Sequence, residues 1–181
     1  MNKTSMIIII LLAVILAVYL YFWRSPKVAM VVTTFEECIA AGNPAMESYP
    51  RQCRADGKLF VENIGNEMEK TDMIRLTSPR PNQTVSSPLT ITGEARGNWF
   101  FEASFPVMIT NWDGLIIGQG IATAQGEWMT SEFVPFKAVL HFNSTSTATT
   151  YSKKGTLILR KDNPSGLPEH DDALEIPVVI K

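Results

Sequence analysis

Two hydrophobic patterns divide the chain. From Met6 to Trp23 (MIIIILLAVILAVYLYFW) no charge interrupts the apolar run. At about 1.5 Å per residue a helix of that length reaches roughly 27 Å, close to the ~30 Å hydrocarbon core of a bilayer. Tyr19, Tyr21, Phe22 and Trp23 crowd its end, where amphipathic rings favour the membrane–water interface, and Arg24 and Lys27 follow. The pattern predicts a short tail over 1–5 and a single transmembrane helix over 6–23. A cleaved signal peptide is the competing reading. Its apolar stretch of about 7–15 residues should end in small residues, and this one is longer and ends in rings.

From Met73 the pattern changes to short β-type runs. MIRLTS, LTITGEA, FPVMITNW, LIIGQGIATA, PFKAVLHF, GTLILRK and LEIPVVIK are seven candidate strands, separated by turn-rich connections. Seven such strands predict an all-β fold, an antiparallel sandwich over 73–181. Asp113-Gly114 between two apolar runs predicts a two-residue type I′ hairpin. Pro177 cannot donate to a ladder, which places the last strand at an edge or on a bulge.

Between these parts lie the chain's two cysteines, Cys38 and Cys53, in a turn-rich stretch with Gly42, Pro44, Pro50 and Asp56-Gly57. Residues 24–64 are too few to bury a sizeable core, and a cross-link is the usual remedy. Closing a loop of about 15 residues is worth roughly 3 kcal/mol in the chain-entropy model. A zinc site would need two further ligands, and no histidine is near. Arg24 and Lys27 balance Lys3 and the amino terminus, so the positive-inside count is a tie. A disulfide breaks the tie by placing the segment outside the cytoplasm. The expected address is a single-pass cell-membrane protein with its C-terminal domain extracytoplasmic. Residues 65–72 are polar, without periodicity, and read as a linker.

Charge alters the picture little. Sixteen basic and 18 acidic residues give a net charge of −2, with no basic field for nucleic acid. No nucleophile elbow, phosphate loop or carboxylate pair is present, so no enzyme and no cofactor are expected. His141, beside Leu140 and Phe142, reads as a packing residue. The acids of 162–175 (Asp162, Glu169, Asp171, Asp172 and Glu175, with His170) raise calcium as a question, without EF-hand spacing. Trp99, Phe100 and Phe101, with Trp128 and Phe133 in another connection, are the candidate partner-binding surface, Trp99, Phe100 and Trp128 foremost, though adjacent rings on a strand face opposite sides. Asn2, Asn82 and Asn143 each head an Asn-x-Thr triplet, read as chance.

Two resemblances add to this. The run CRADGKLF (53–60) is similar to the end of a Kazal-type inhibitor motif. That likeness implies a protease inhibitor acting through the two-cysteine segment, with Arg51 or Arg54 presented, although Kazal domains carry several disulfides. Ile74-Arg-Leu-Thr-Ser-Pro79, Val85-Ser-Ser-Pro-Leu-Thr-Ile-Thr-Gly-Glu-Ala95, Gly155-Thr-Leu-Ile-Leu159, Asp162-Asn-Pro-Ser-Gly166 and Ile176-Pro-Val178 resemble the Gmad2-type immunoglobulin-like domain of bacterial envelope proteins, some linked to spore germination. This resemblance, over Met73 to Lys181, implies a surface module without catalytic residues. The expected function is a non-catalytic, membrane-anchored envelope module binding a protein partner or cell-wall glycan.

Overall fold

The computed structural model describes residues 3–24, 31–143 and 151–181; the side chains of 3–5, 8, 9 and 22–24 also lie outside the described residues. The chain divides into two compact units, Met1–Ala45 with Cys53–Phe60, and Met46–Gln52 with Val61–Lys181.

Helix α1 (Lys3–Arg24) begins the first unit. Its described apolar side chains, Met6, Ile7 and most of Ile10 to Tyr21, are each at least 50% exposed. Among the described residues, however, no helix is long and apolar enough to cross a membrane. The expected span over 6–23 is corrected accordingly. Ile8, Ile9, Phe22 and Trp23, which the expectation also used, fall outside the described side chains, and Lys27 outside the described residues.

Helix α2 (Phe35–Ala40) follows, capped by a Thr-x-x-Glu box. Thr34 Oγ1 accepts from the Glu37 amide at 3.2 Å, and the Glu37 carboxylate accepts from the amides of Thr34 (3.2 Å) and Thr33 (2.7 Å) and the Thr33 hydroxyl (2.6 Å). These bonds, the Thr33 hydroxyl first, hold the Glu37 carboxyl below its ordinary range. Strands β1 (Ala45–Met46), β2 (Gln52–Ala55) and β3 (Lys58–Val61) form a small sheet. Asp56 and Gly57, both at positive φ, make the β2–β3 turn. Cys38 and Cys53 are disulfide-bonded and buried with Phe35 and Ala55. That core is small, so the cross-link carries much of it. The Cys38→Ala/Cys53→Ala pair should lose about 3 kcal/mol in this unit, read by urea titration, while thiol labelling of unreduced wild type finds no free thiol.

The second unit is an eight-stranded sheet. Its strands are β4 (Ile74–Ser78), β5 (Thr84–Val85), β6 (Leu89–Arg96), β7 (Ser104–Asn111), β8 (Ile116–Ala124), β9 (Phe133–Leu140), β10 (Lys154–Arg160) and β11 (Ala173–Ile180). Their order is β4-β6-β9-β8-β7-β10-β11-β5. All seven candidate strands are present, and most alternate buried and exposed positions with period two. The expected purely antiparallel sandwich is corrected to one curled, mixed sheet. Strand β5 was too short to read, and it runs parallel to β11 through Thr84–Val179 and Val85–Ile180. The two halves meet between β8 and β9 at only Thr123–Lys137 and Ala124–Phe136. Curling lets both halves turn their apolar faces to one core containing Ile74, Ile91, Phe105, Ile109, Phe136, Leu157 and Ile176. Pro177 faces Thr156 of β10, and its outer side lies beyond the short ladder to β5; its carbonyl instead accepts from the Asn82 amide at 2.7 Å.

Two local expectations differ from the structure. The β7–β8 connection runs over four residues, 112–115, with Gly114 alone at positive φ. Asn111 Oδ1 accepts from the amides of Asp113 (3.0 Å) and Leu115 (2.9 Å), so a side chain closes the turn in place of a type I′ backbone. Residues 65–72 are no linker. Asn66 exchanges side-chain bonds with the backbone of β11, through Ala173 O (2.9 Å) and Glu175 N (2.8 Å), and Glu67–Lys70 forms a helical turn. Gly65, at φ +69°, lies so close to β11 that a Cβ would meet Glu175 O at 1.8 Å.

Candidate functional site

Of the rings nominated from sequence, Trp99, Phe100 and Trp128 turn inward and Phe101 does not. After β6, Gly97–Trp99 forms a tight 3-10 turn whose Gly97 lies against the backbone of Trp128 and Thr130. Trp99 is 0% and Phe100 4% exposed. Phe100 stacks at 5.2 Å on Phe105, which meets Phe136 edge-on at 5.0 Å. Trp128 packs partly buried against the same core. None of the three offers an open face to a partner. His141 is also placed differently, since it is exposed and its neighbour Phe142 fills the core position.

The exposed ring is the next one, Phe101, at 41%. It is held out by a two-residue turn over Glu102 and Ala103, both at positive φ (48° and 60°), closed by reciprocal Phe101–Ser104 backbone bonds at 3.0 Å. Neither residue is glycine or asparagine, and each costs roughly 1–2 kcal/mol in that conformation. Beside Phe101 is an open cleft of about 290 Å³, walled by Asn98, Lys161, Asp162, Asn163 and His170. A second cleft of about 310 Å³ shares Lys161, Asp162 and Asn163 and extends to Pro106 and Met108.

The far wall is fastened by its backbone. Asp162 N donates to Trp99 O at 3.1 Å and Lys161 N to Asp172 O at 2.8 Å. Asn163 Nδ2 donates to Leu167 O (2.8 Å) and Asp171 Oδ1 (2.9 Å). The Asp162 carboxylate, the Asn98 amide and the His170 ring have no side-chain partner among the described residues. The neighbouring acids are neutralised within the protein. Asp171 pairs with Arg160 at 3.0 Å and Asp172 with Lys70 at 2.6 Å. The Asn163 amide, then Arg160, holds the Asp171 carboxyl below its ordinary range. Among the described residues no group of three or more His, Cys, Asp or Glu could hold a metal ion, so the 162–175 loop offers calcium no assembled site.

A second charged cluster had no sequence signal. Glu62 and Glu67 have side chains only 6% exposed. Glu62 takes a forked pair from Arg51 (Nε 2.9 Å, Nη2 2.6 Å) and a bond from Asn82 Nδ2 (3.1 Å). Glu67 pairs with Arg80 at 2.7 Å and accepts from the Tyr49 hydroxyl. Arg80 also donates to Tyr49 Oη (2.7 Å) and Leu76 O (2.6 Å). Arg51 is therefore tied to Glu62, with its side chain still 54% exposed. Asn82, at φ +62°, spends its amide on Glu62 and the Asn63 carbonyl.

These features define a class: an immunoglobulin-like β module with buried acids held in ion pairs and an open cleft beside an exposed ring. The chain belongs to the Gmad2 family, described as the immunoglobulin-like domain of bacterial spore germination, whose sequence profile matches residues 73–166, just over half the chain. The match stops before β11, short of the Lys181 expected. The family is not a known enzyme family. No curated protein and no solved structure matches the chain.

Proposed function

We propose that the chain is a non-catalytic module of the bacterial envelope, held at a membrane by its apolar N-terminal helix and presenting the immunoglobulin-like unit to an extracytoplasmic ligand. Membership of the Gmad2 family carries the reading. Two observations support its finer parts. The Cys38–Cys53 disulfide suits an oxidising compartment. The described side chains of α1 form an apolar sleeve exposed on every side, which water disfavours and lipid accepts. The inhibitor alternative has less support, because Arg51 is tied to Glu62.

Cells carrying the full chain with a C-terminal epitope test this. External protease on spheroplasts should remove the epitope while a cytoplasmic marker survives, and deleting residues 6–23 should release the protein from the membrane pellet. A protected epitope overturns the orientation, and a variant still in the pellet overturns the attachment.

A further inference from the structure

We propose that the groove between Phe101 and the 161–165 loop is a binding subsite for a linear, hydroxyl-rich oligosaccharide; this rests on the envelope-module reading and names its ligand class. Three observations converge there. Phe101 is 41% exposed although its chain neighbours Trp99 and Phe100 are buried, and it offers an apolar ring face to the C–H face of a sugar. That ring is held by a turn that keeps two non-glycine residues at positive φ. Backbone strain of this kind persists only where the surroundings over-determine it.

The groove wall, secondly, carries hydrogen-bonding groups that the protein does not use. Among the described residues the Asn98 amide, the Asp162 carboxylate and the His170 ring have no side-chain partner, while the adjacent Asp171, Asp172 and Arg160 are paired. An amide and a carboxylate facing a ring supply the donors and acceptors that vicinal hydroxyls need. Asp162 is kept in place by its own backbone bond to Trp99 O, so its carboxylate reaches the groove from a fixed point.

Thirdly, the shape and surroundings suit a chain of sugars better than a peptide. The two clefts of about 290 and 310 Å³ share Lys161, Asp162 and Asn163, which makes one open groove longer than a single ring. Peptides dock by adding a strand to a sheet edge or by filling apolar side-chain pockets. Strand β10, which leads into this loop, is already paired on both sides by β7 and β11, and the sheet edges are β4 and β5. No backbone ladder is open at the groove, and its walls set polar groups beside an aromatic ring, the mix that a sugar's hydroxyls and C–H face need.

Full-length, isotopically labelled protein in detergent would be titrated with N-acetylglucosamine tetramer and, separately, with cellotetraose, followed by amide and side-chain chemical shifts. The expected result is saturable shifts confined to Asn98, Phe101, Asp162, Asn163 and His170 with at least one tetramer, at a dissociation constant no weaker than about 1 mM. Phe101→Ala and Asp162→Ala should each weaken binding about tenfold or more. Phe101→Leu, which keeps the bulk and loses the ring, should weaken it similarly with an unchanged melting temperature. The subsite is overturned if neither tetramer saturates, if shifts map elsewhere, if the variants bind as wild type, or if an unrelated extended peptide produces the same shifts. Failure with both tetramers, alongside an epitope still cleaved in spheroplasts, sinks the glycan subsite and leaves the envelope reading standing. A protected epitope sinks the envelope reading first.

Discussion

Replacing Trp99 by alanine should cost the immunoglobulin-like unit about 3–5 kcal/mol, the range for emptying a large aromatic site in a core. The side chain is 0% exposed and sits at the turn where β6 leaves the sheet. Its backbone carbonyl also fastens Asp162, so the collapse would reach the 161–165 loop. Trp99→Phe should cost distinctly less. The indole Nε1 is buried without a partner among the described residues, and the phenyl ring removes that unpaired N–H while keeping most of the packing. Urea titration followed by circular dichroism in the β region reads both variants, and the melting temperature of the alanine variant should fall by well over 10 °C. A cost below about 1 kcal/mol, as at surface positions, would return Trp99 to the role of a binding residue.

Trp99 also shows what the sequence could and could not disclose. The strands were legible because one face of each is buried, and period-two alternation records that directly. Asn-Trp-Phe-Phe in a connection carries no such record. Which of three consecutive rings is exposed depends on a 3-10 turn set by Gly97 against Thr130, a contact far away in sequence. The turn that presents Phe101 was unreadable for a related reason, since Glu102-Ala103 has none of the usual chemistry for positive φ. At Asp113-Gly114 the signal for a tight reversal was right in place and wrong in type, because the Asn111 side chain does part of the closing. Thr34-Phe-Glu-Glu37 was a readable helix start that composition alone passed over. Residues 65–72 looked like a linker because their partners are backbone groups of β11, about a hundred residues later.

Glu62 and Glu67 should drive the stability of this unit in opposite directions with pH. The forked bond from Arg51, with Asn82 adding to it, holds the Glu62 carboxyl below its ordinary value of 4.5 against the opposing effect of burial. A depressed value means stability that is present above the unfolded value and lost as pH falls through the folded one. Burial raises the Glu67 carboxyl above 4.5, and the Arg80 charge only partly offsets this. A raised value means a contribution complete below 4.5 that drains away as pH rises through the folded one. Glu62→Gln should therefore flatten the acid limb of a stability–pH curve, and Glu67→Gln the limb above it. Arg80→Met gives the sharpest reading. It removes the cation from a buried carboxylate, and because the arginine side chain is 46% exposed the loss at about pH 7.5 is set at roughly 2 kcal/mol, below the 3–5 of a fully buried pair. Near pH 4.5 Glu67 can take a proton instead, and the loss should shrink by half or more. The bonds Arg80 makes to Leu76 O and Tyr49 Oη do not titrate in this range, so they cancel in the difference between the two pH values. Urea titrations of wild type and variant at both pH values measure that difference. Equal losses at the two, or a larger one in acid, would mean that Glu67 is not the group the arginine sustains.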